Sequence, residues 1–600
     1  MKRILQALFI ATIFCLLVPG IGQAQTDCTA GAQMITPTNG STLPAGAVTF
    51  EWCNANADYF LTIESVVGAH DIFFAFVGGI GPGAGVVSVT LGPACAPVSP
   101  IQCIPPNGEI IHVTLDTVRS KTILSSFQYT YTAASPTNPD ITMTFHMPPN
   151  GASATTSGLG PLAVIYGQMS TSMTTNPVAI ANFGFTSGAG AGALITEASV
   201  PAATVLTAAR LFVDFNASTG QDSGVALVNP GASPLSVNVI LMSQTGVAST
   251  CPNVQVAAHG HTALFASQFG CPSLASPFLG TLTFTAAGPF AAVNLRAAQN
   301  GHAEQIFSAL PVVDPTVAPA GTNLIFSQIV DGGGNPTQIL LMNTSGSPIS
   351  GIISLFDDTG NPIALDFGGG LVISQPYSIS GNGVQKFSTT GQGTLKVAYA
   401  VVTPTSGQLP SGASIFGSRG ATGVASQAGV LNAPQTNNAR VYIERTSAPL
   451  NRNTGIAIVN RNASSANVTL HLVSLDGSFD QTTSKTYSAN AHDAEFIDQF
   501  FPAGAVPVDF KGVLAIQSNQ PLAIVTLRLT NNQRSEEIFS TLPVADLNNP
   551  PLGPLFLPQV VNGGGYKTQI IVLGTSLGLG AVNINFFDDT GGIVPLAQLL

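Results

Sequence analysis

The residue types able to do chemistry are few, and they recur at fixed places. Asp357-Asp358 and Asp588-Asp589 each close an apolar stretch ahead of Thr-Gly, and paired carboxylates there could hold Ca²⁺ at a junction between units. Two adjacent acids supply too few oxygens by themselves. Asp-x-Gly is also ordinary turn chemistry, with Asp capping the backbone and Gly taking positive φ, and the turn is the expected role. His261 and His492 occupy matching positions in HTALFASQF and HDAEFIDQF, with His259 two residues before the first. Imidazoles spaced along a strand could ligate a metal. The counterpart of His259 is Asn490, however, so recurrence with the scaffold points to packing or solvent exposure. His471 alternates outward from Leu470 and Leu472 and is expected to be wet. Gly574-Thr575-Ser576-Leu577-Gly578 satisfies the nucleophile-elbow pattern GxSxG, which needs a strand before the serine and a helix after it. A strand follows here, and the equivalent places elsewhere read Asn-Pro-Gly or Asn-Thr-Ser, so a structural turn is expected. The triple glycines beginning at Gly332 and Gly563 lack the Lys-Ser/Thr and helix of a phosphate cradle. No catalytic, cofactor-binding or metal-binding residue is assigned, and no cofactor is implied.

The elements that would position these residues come from one repeated pattern. Four segments, GVALVNPGASPLSVNVILMSQTG, TQILLMNTSGSPISGIISLFDDTG, GIAIVNRNASSANVTLHLVSLDG and TQIIVLGTSLGLGAVNINFFDDTG, share an apolar strand, a turn and a second strand. The turn falls at Asn229, Asn343, Asn460 and Gly574, and a closing glycine stands seventeen residues later at Gly246, Gly360, Gly477 and Gly591. Spacings of 114, 117 and 114 define a module. Val237, Val239 and Leu241, with their counterparts Ile353 and Leu355, Val468, Leu470 and Leu472, and Val582, Ile584 and Phe586, alternate with polar residues. That period of two requires antiparallel strands with one buried and one wet face. GTLTFTAAGPFAAVNLR matches GVLAIQSNQPLAIVTLR, and EQIFSALPVVD matches EEIFSTLPVAD, so a longer period of about 231 residues makes two subtypes alternate. Asn300-Gly301 is expected to form a two-residue type I′ hairpin turn, with Asn531-Asn532 doing the same work one long period on.

The ends complicate the array. ITMTFHMPPNGASATTSGLGPLAVIYGQM and its continuation to residue 203 match the later half of the second copy, whereas the fourth copy stops at Leu600 after its earlier half. Each half alone would expose a sheet edge and half a core. One hypothesis is that the two halves complete a single sandwich, by ring closure within the chain or head-to-tail between chains. The alternatives are a natural chain that continues past residue 600, or halves that fold alone against the N-terminal domain. The organisation read is then a signal peptide at 1–24, a domain at 28–135, a partial module at 140–203, modules at 205–316, 320–432 and 437–547, and a partial module at 552–600. Pro-rich joints fall between the modules.

Lys2 and Arg3, an apolar run to Val18 and small residues at Gly22 to Ala24 read as a secretory signal, with mature protein starting at Gln25. Cys15 lies inside that run behind Phe14, which is wrong for a lipid anchor. Export permits disulfides, and local spacing suggests Cys28 with Cys53, Cys95 with Cys103, and Cys251 with Cys271. The last would close a loop worth roughly 3 kcal/mol. Charged residues make up 8% of the chain and the net charge is −11, with no basic stripe, so nucleic acid is excluded as a partner. Ile72 to Leu91 is uncharged but centred on Gly81-Pro82-Gly83, which suits two strands around a turn better than a membrane span. Trp52, the only tryptophan, is expected in a core.

ITPTNGSTLPAGAVTFEW, YFLTIES and FQYTYTA, within residues 28–135, resemble Ig-like or fibronectin type III-like domains of exported bacterial proteins. The modules, with signatures such as VVNGGGYKTQIIVL and FFDDTG, resemble repeats of exported bacterial tandem β-sandwich proteins to which no activity is attached. The resemblance implies sandwich folds. The fold class is therefore mainly β, as tandem antiparallel Ig-like sandwiches arranged as beads on a string. The functional expectation is a non-catalytic secreted or cell-surface protein, a structural spacer or adhesion module, meeting an extracellular ligand such as polysaccharide or protein. The alternative is an accessory carbohydrate-binding protein serving an extracellular hydrolase. Scarce aromatic residues argue against a typical carbohydrate platform.

Overall fold

The computed structural model describes residues 32–600 apart from 45–46, 56, 66, 68–71, 79–85, 93–102, 105–109, 121, 134–140, 148–150, 158–161, 189–191, 421, 576–579 and 600. The signal sequence, Cys28, Cys95, Ser576 and the centre of the Ile72–Leu91 stretch lie outside the described residues. The chain divides into two compact units, Met1–Pro139 and Asp140–Leu600. Both are mainly β and built from antiparallel sandwiches, and the longest α-helix among the described residues is Ile497–Phe500. Among the described residues, no helix is long and apolar enough to cross a membrane.

The first unit pairs a three-stranded sheet (Met34–Thr36, Val48–Cys53, Val86–Leu91) with a five-stranded one. The larger sheet runs Thr42–Leu43, Thr122–Ala133, Ile110–Arg119, Asp58–Glu64, Phe73–Val77. Alternation along these strands puts Phe50, Trp52, Tyr59, Leu61, Val113, Leu115 and Tyr131 into one core, and Trp52 meets Tyr59 edge to face at 5.6 Å.

In the second unit each module is a two-layer sandwich. Modules 1 and 3 share their layers through one long strand, Phe278–Gln299 or Phe510–Asn531, that switches sheets at its middle. The first half of Phe278–Gln299 pairs with Leu206–Phe215 and Leu235–Ser243, the second with Asp222–Val228 and Gln305–Leu310. Gly288-Pro289 sits at the switch, where a proline cannot serve a central ladder. The inward positions read from the alternation, Val237 to Leu241, Ile353 and Leu355, Val468 to Leu472 and Val582 to Phe586, are all buried. The module-defining Asn is buried too, and its side chain is fully used. Asn343 Nδ2 donates to the carbonyls of Ser347, Ile379 and Ser380 while Oδ1 accepts from Ser345 N, and Asn229 and Asn460 repeat this arrangement.

The terminal halves form a fourth sandwich together, which we term the closing module. Ala163–Thr171 lies between Leu555–Asn562 and Gly580–Phe587, and Tyr566–Leu573 lies between Ala152–Thr156 and Val178–Thr186. Their shared core includes Phe145, Ile165, Leu557, Val572, Ile584 and Phe586. Of the two closures considered, the pairing is the one within the chain. The expected string of beads is thereby corrected: residues 140–600 close into a ring. The innermost edge strands, Leu194–Pro201, Gln305–Leu310, Gly423–Leu431 and Glu537–Leu542, lie side by side in cyclic order. Burying the edges is the physical reason, since an unpaired edge strand exposes backbone polar groups. Hydroxyls of the next module satisfy these groups: Phe307 N donates to Thr196 Oγ1, Phe539 N donates to Ser426 Oγ, and Thr541 Oγ1 donates to Gly429 O.

The hairpins at Asn300 and Asn532 are present but are not two-residue turns. Gln299 pairs with Gln305 and Asn531 with Glu537, leaving five residues in each loop. Asn300 Oδ1 accepts from the amides of His302 and Glu304, and Asn532 Oδ1 from those of Arg534 and Glu536. This side-chain cap builds the turn, and the positive φ falls on Ala303 and Ser535. Gly301 serves close approach instead, because a Cβ there would meet the backbone of Thr422 at 2.6 Å.

Candidate functional site

The four modules meet through two kinds of joint that alternate round the ring, and these joints take up most of the recurring acidic and histidine residues. At the joint between modules 2 and 3, His492 Nδ1 lies 2.8 Å from Asp358 Oδ1, and His492 N donates to Asp358 O. At the joint between the closing module and module 1, His261 Nδ1 lies 2.7 Å from Asp589 Oδ1. Each imidazole is fully buried while its carboxylate partner is 65% exposed. A carboxylate accepts only, so Nδ1 carries the proton. Beside each pair a tyrosine is buried: Tyr399 Oη donates to Asn490 O and Tyr166 Oη to His259 O. Burial, helped by Asp588, pushes the Tyr166 phenol up to about 12, so it stays a donor. Phe356 stacks on Tyr399 at 5.2 Å and Phe587 on Tyr166 at 5.1 Å.

The neighbouring acids do a separate job. Asp357 Oδ1 accepts from the amides of Thr359 and Asn361, and Asp588 Oδ1 from those of Thr590 and Gly592. Slight burial opposes the effect, but these hydrogen bonds hold both carboxyls below their usual range. The two members of each acidic pair therefore serve different partners, one its own turn and the other the next module. Among the described residues, no three His, Cys, Asp or Glu side chains converge as a metal site would need. His259 takes positive φ, as does Asn490, its counterpart. His471 is half-exposed and bonds Asp480 at 2.7 Å.

The other joints are held by buried charge. Glu197 of the closing module receives Arg452 at 2.9 Å, Arg528 at 3.1 Å and Thr530 Oγ1 at 2.9 Å, and Arg528 reaches Glu444 at 2.8 Å. Burial alone would raise the Glu197 carboxyl, but the two guanidinium charges outweigh it and hold the group down to about 2. One long period earlier, between modules 1 and 2, Asp214 meets Arg296 and Lys386. Sequence reasoning missed these networks, although Asp214 with Glu444 and Arg296 with Arg528 stand at matching positions of the long period.

At the ring centre, Arg534 binds Glu304 through two bonds of 2.7 Å, and His302 lies 2.9 Å from Glu536, bracing modules 1 and 3 across the axis. Where the four inner strands end, a cavity of about 450 Å³ opens, with Pro201, Pro311, Pro434 and Pro543 in its wall. Its lining holds no Asp, Glu, His, Cys, Lys or Arg, so it offers no general acid, base or charged nucleophile.

The first unit carries an aromatic surface that composition concealed. On the outward face of its larger sheet, Phe74 and Phe76 are 52% and 55% exposed. Phe60 stacks on Phe74 at 5.6 Å and meets Phe76 at 5.1 Å. The cross-strand register continues this aromatic surface into polar rows, Phe60 to Asp116 to Ser126 and Thr62 to Thr114 to Gln128.

Cys251 and Cys271 form a disulfide within module 1. Cys53 and Cys103 each belong to a disulfide as well.

No protein-family model matches the chain, and no curated protein does. Among solved structures, it is similar at 9% identity to the Streptomyces avermitilis α-L-rhamnosidase complexed with L-rhamnose, with 85% of this chain and 57% of that one covered and a TM-score of 0.13. The chain thus spans little more than half the length of that enzyme. The Bacteroides ovatus protein SGBP-B, in complex with a mixed-linkage heptasaccharide, gives 8% identity, coverage of 83% and 99%, and a TM-score of 0.11. Likenesses of this size carry no functional weight.

Proposed function

We propose that this is a non-catalytic, exported binding protein in which the first unit recognises a polysaccharide through Phe60, Phe74 and Phe76 and the ring serves as a rigid carrier. The aromatic triad carries the reading. An apolar, aromatic patch held rigidly on a sheet and bordered by Asp116, Ser126, Thr114 and Gln128 offers ring faces for stacking and polar groups for hydroxyls. The disulfide in module 1 agrees with an oxidising compartment. The residues with catalytic potential are spent on joints, and the largest cavity described has no ionisable lining. A ring adds no reach as modules are added, which favours adhesion over the spacer role.

Pull-down on insoluble polysaccharides and a glycan array test this with the full chain and Phe74→Ala/Phe76→Ala. Retention by at least one polysaccharide, falling tenfold or more in the double variant, is expected. Equal retention by both proteins removes the triad from the site. Absence of any glycan binding by the parent protein favours adhesion to a protein partner.

A further inference from the structure

The two joints built on His and Asp are related by the 231-residue period, but they are not filled alike. At the joint of the closing module with module 1, Tyr566 packs onto a cluster containing Phe183, Ala226, Val293 and Leu295, beside Phe307. Its ring lies 4.6 Å from that of Phe185. The counterparts at the joint of modules 2 and 3 are Phe416, Ala457, Val525, Leu527 and Phe539, the same residue types throughout. Asn335, however, stands in place of Tyr566, and Ser418 in place of Phe185. Two aromatic rings are therefore missing from an otherwise equivalent apolar setting, and a cavity of about 360 Å³ lies there, with Asn335, Phe416 and Phe539 among its walls. The buried apolar cluster at this joint shrinks to Val430, Ala457 and Val525.

The substitutions also change the charge of the site. Glu495 and Glu537 line the cavity, where the twin joint has Leu264 and Gln305. Glu495 is paired with Lys485, whereas Glu537 makes no ion pair among the described residues. Gln328 also lines the space, and its Oε1 is buried without a hydrogen-bond partner, as is that of its counterpart Gln559 at the twin joint. Such a site wants an aromatic body with donors at its ends.

We infer that the joint between modules 2 and 3 binds a small aromatic amine, whose ring replaces the side chain that Tyr566 supplies in the twin joint and whose ammonium faces Glu537. Its hydroxyl or other donor meets Gln328. The inference is independent of polysaccharide recognition by the first unit.

Calorimetric titration of the full chain with tyramine, and with p-cresol as its uncharged analogue, tests this. Tyramine is expected to bind saturably with one site per chain. Asn335→Tyr restores the twin's filling and should abolish binding without lowering the melting temperature, while Asn335→Ala keeps the space and the binding. Glu537→Gln should weaken tyramine three- to tenfold and leave p-cresol unchanged. Failure of the parent chain to bind tyramine, or binding undiminished in a folded Asn335→Tyr chain, overturns the inference. Should Asn335→Tyr unfold, loss of binding by the folded Ser418→Phe chain supports the site and retention overturns it.

Discussion

Replacing Glu197 by Gln should loosen the ring at the joint of module 3 with the closing module, because the two guanidinium charges there are matched only while both carboxylates are charged. Glu197 and Glu444 balance Arg452 and Arg528, and Arg528 is 1% exposed. Glu197→Gln keeps the shape and leaves one uncompensated guanidinium charge. Breaking a buried pair from one side costs about 3 to 5 kcal/mol. The carboxyl supplies a second route to the same size: held down to about 2 from an ordinary 4.5, it contributes on the order of 3 kcal/mol at neutral pH. The sign follows from the lowered value. The contribution is complete above about pH 4.5 and is lost as pH falls toward 2. Trp52 lies in the first unit, so its fluorescence does not report on the ring. Hydrogen exchange at Leu194–Pro201 and Glu537–Leu542 does, and should accelerate about a hundredfold at neutral pH. Urea midpoints followed by far-UV circular dichroism should differ between parent and variant at pH 6 and converge only as the pH nears 2. A difference below about 1 kcal/mol at pH 6, or one that does not shrink on acidification, refutes this account of the joint.

Two further outcomes test the ring itself. Deleting residues 552–600 should make residues 142–201 protease-sensitive; unchanged resistance would show that the N-terminal half stands without its partner. Asp358→Ala and Asp589→Ala should each cost about 1 to 3 kcal/mol by leaving a buried imidazole N–H unsatisfied, measured as a shift in urea midpoint, and identical midpoints would deny the His–Asp joints their role.

Strands, module length and the alternation of two subtypes were legible because period-two hydrophobicity is a local signal. So was the later-half, earlier-half arithmetic of the two ends, since matching a segment to its sister needs no knowledge of contacts. The pairing of His492 with Asp358 was not legible. Both recur with their modules, but they stand more than a hundred residues apart, and a histidine that recurs with its scaffold looks the same whether it packs inside one sandwich or reaches into the next. Asn300-Gly301 misled for a different reason: the dipeptide suggests positive φ at glycine, whereas the Asn side chain caps the loop and glycine is there for the approach of Thr422. The aromatic surface was hidden because a count of aromatics says nothing of facing, and Phe60, Phe74 and Phe76 meet only through the register of adjacent strands.

The closing module also sets an order of events. Its strands come from opposite ends of a 461-residue stretch, so that sandwich cannot be finished until residues 552–600 have left the ribosome and, in an exported chain, the export channel. The other three modules have all their strands in hand earlier and can wait as a curved, open row. The last sandwich then works as a clasp. Its two leaves must find each other across a loop of three finished modules, whose curvature has already brought them near, so the entropy of closure falls far below that of a free chain of the same length. A clasp can be moved. Joining the two leaves by a short linker and opening the chain instead at residues 432–434, between modules 2 and 3, should give the same ring with every sandwich contiguous in sequence. That permuted chain should refold faster than the natural one.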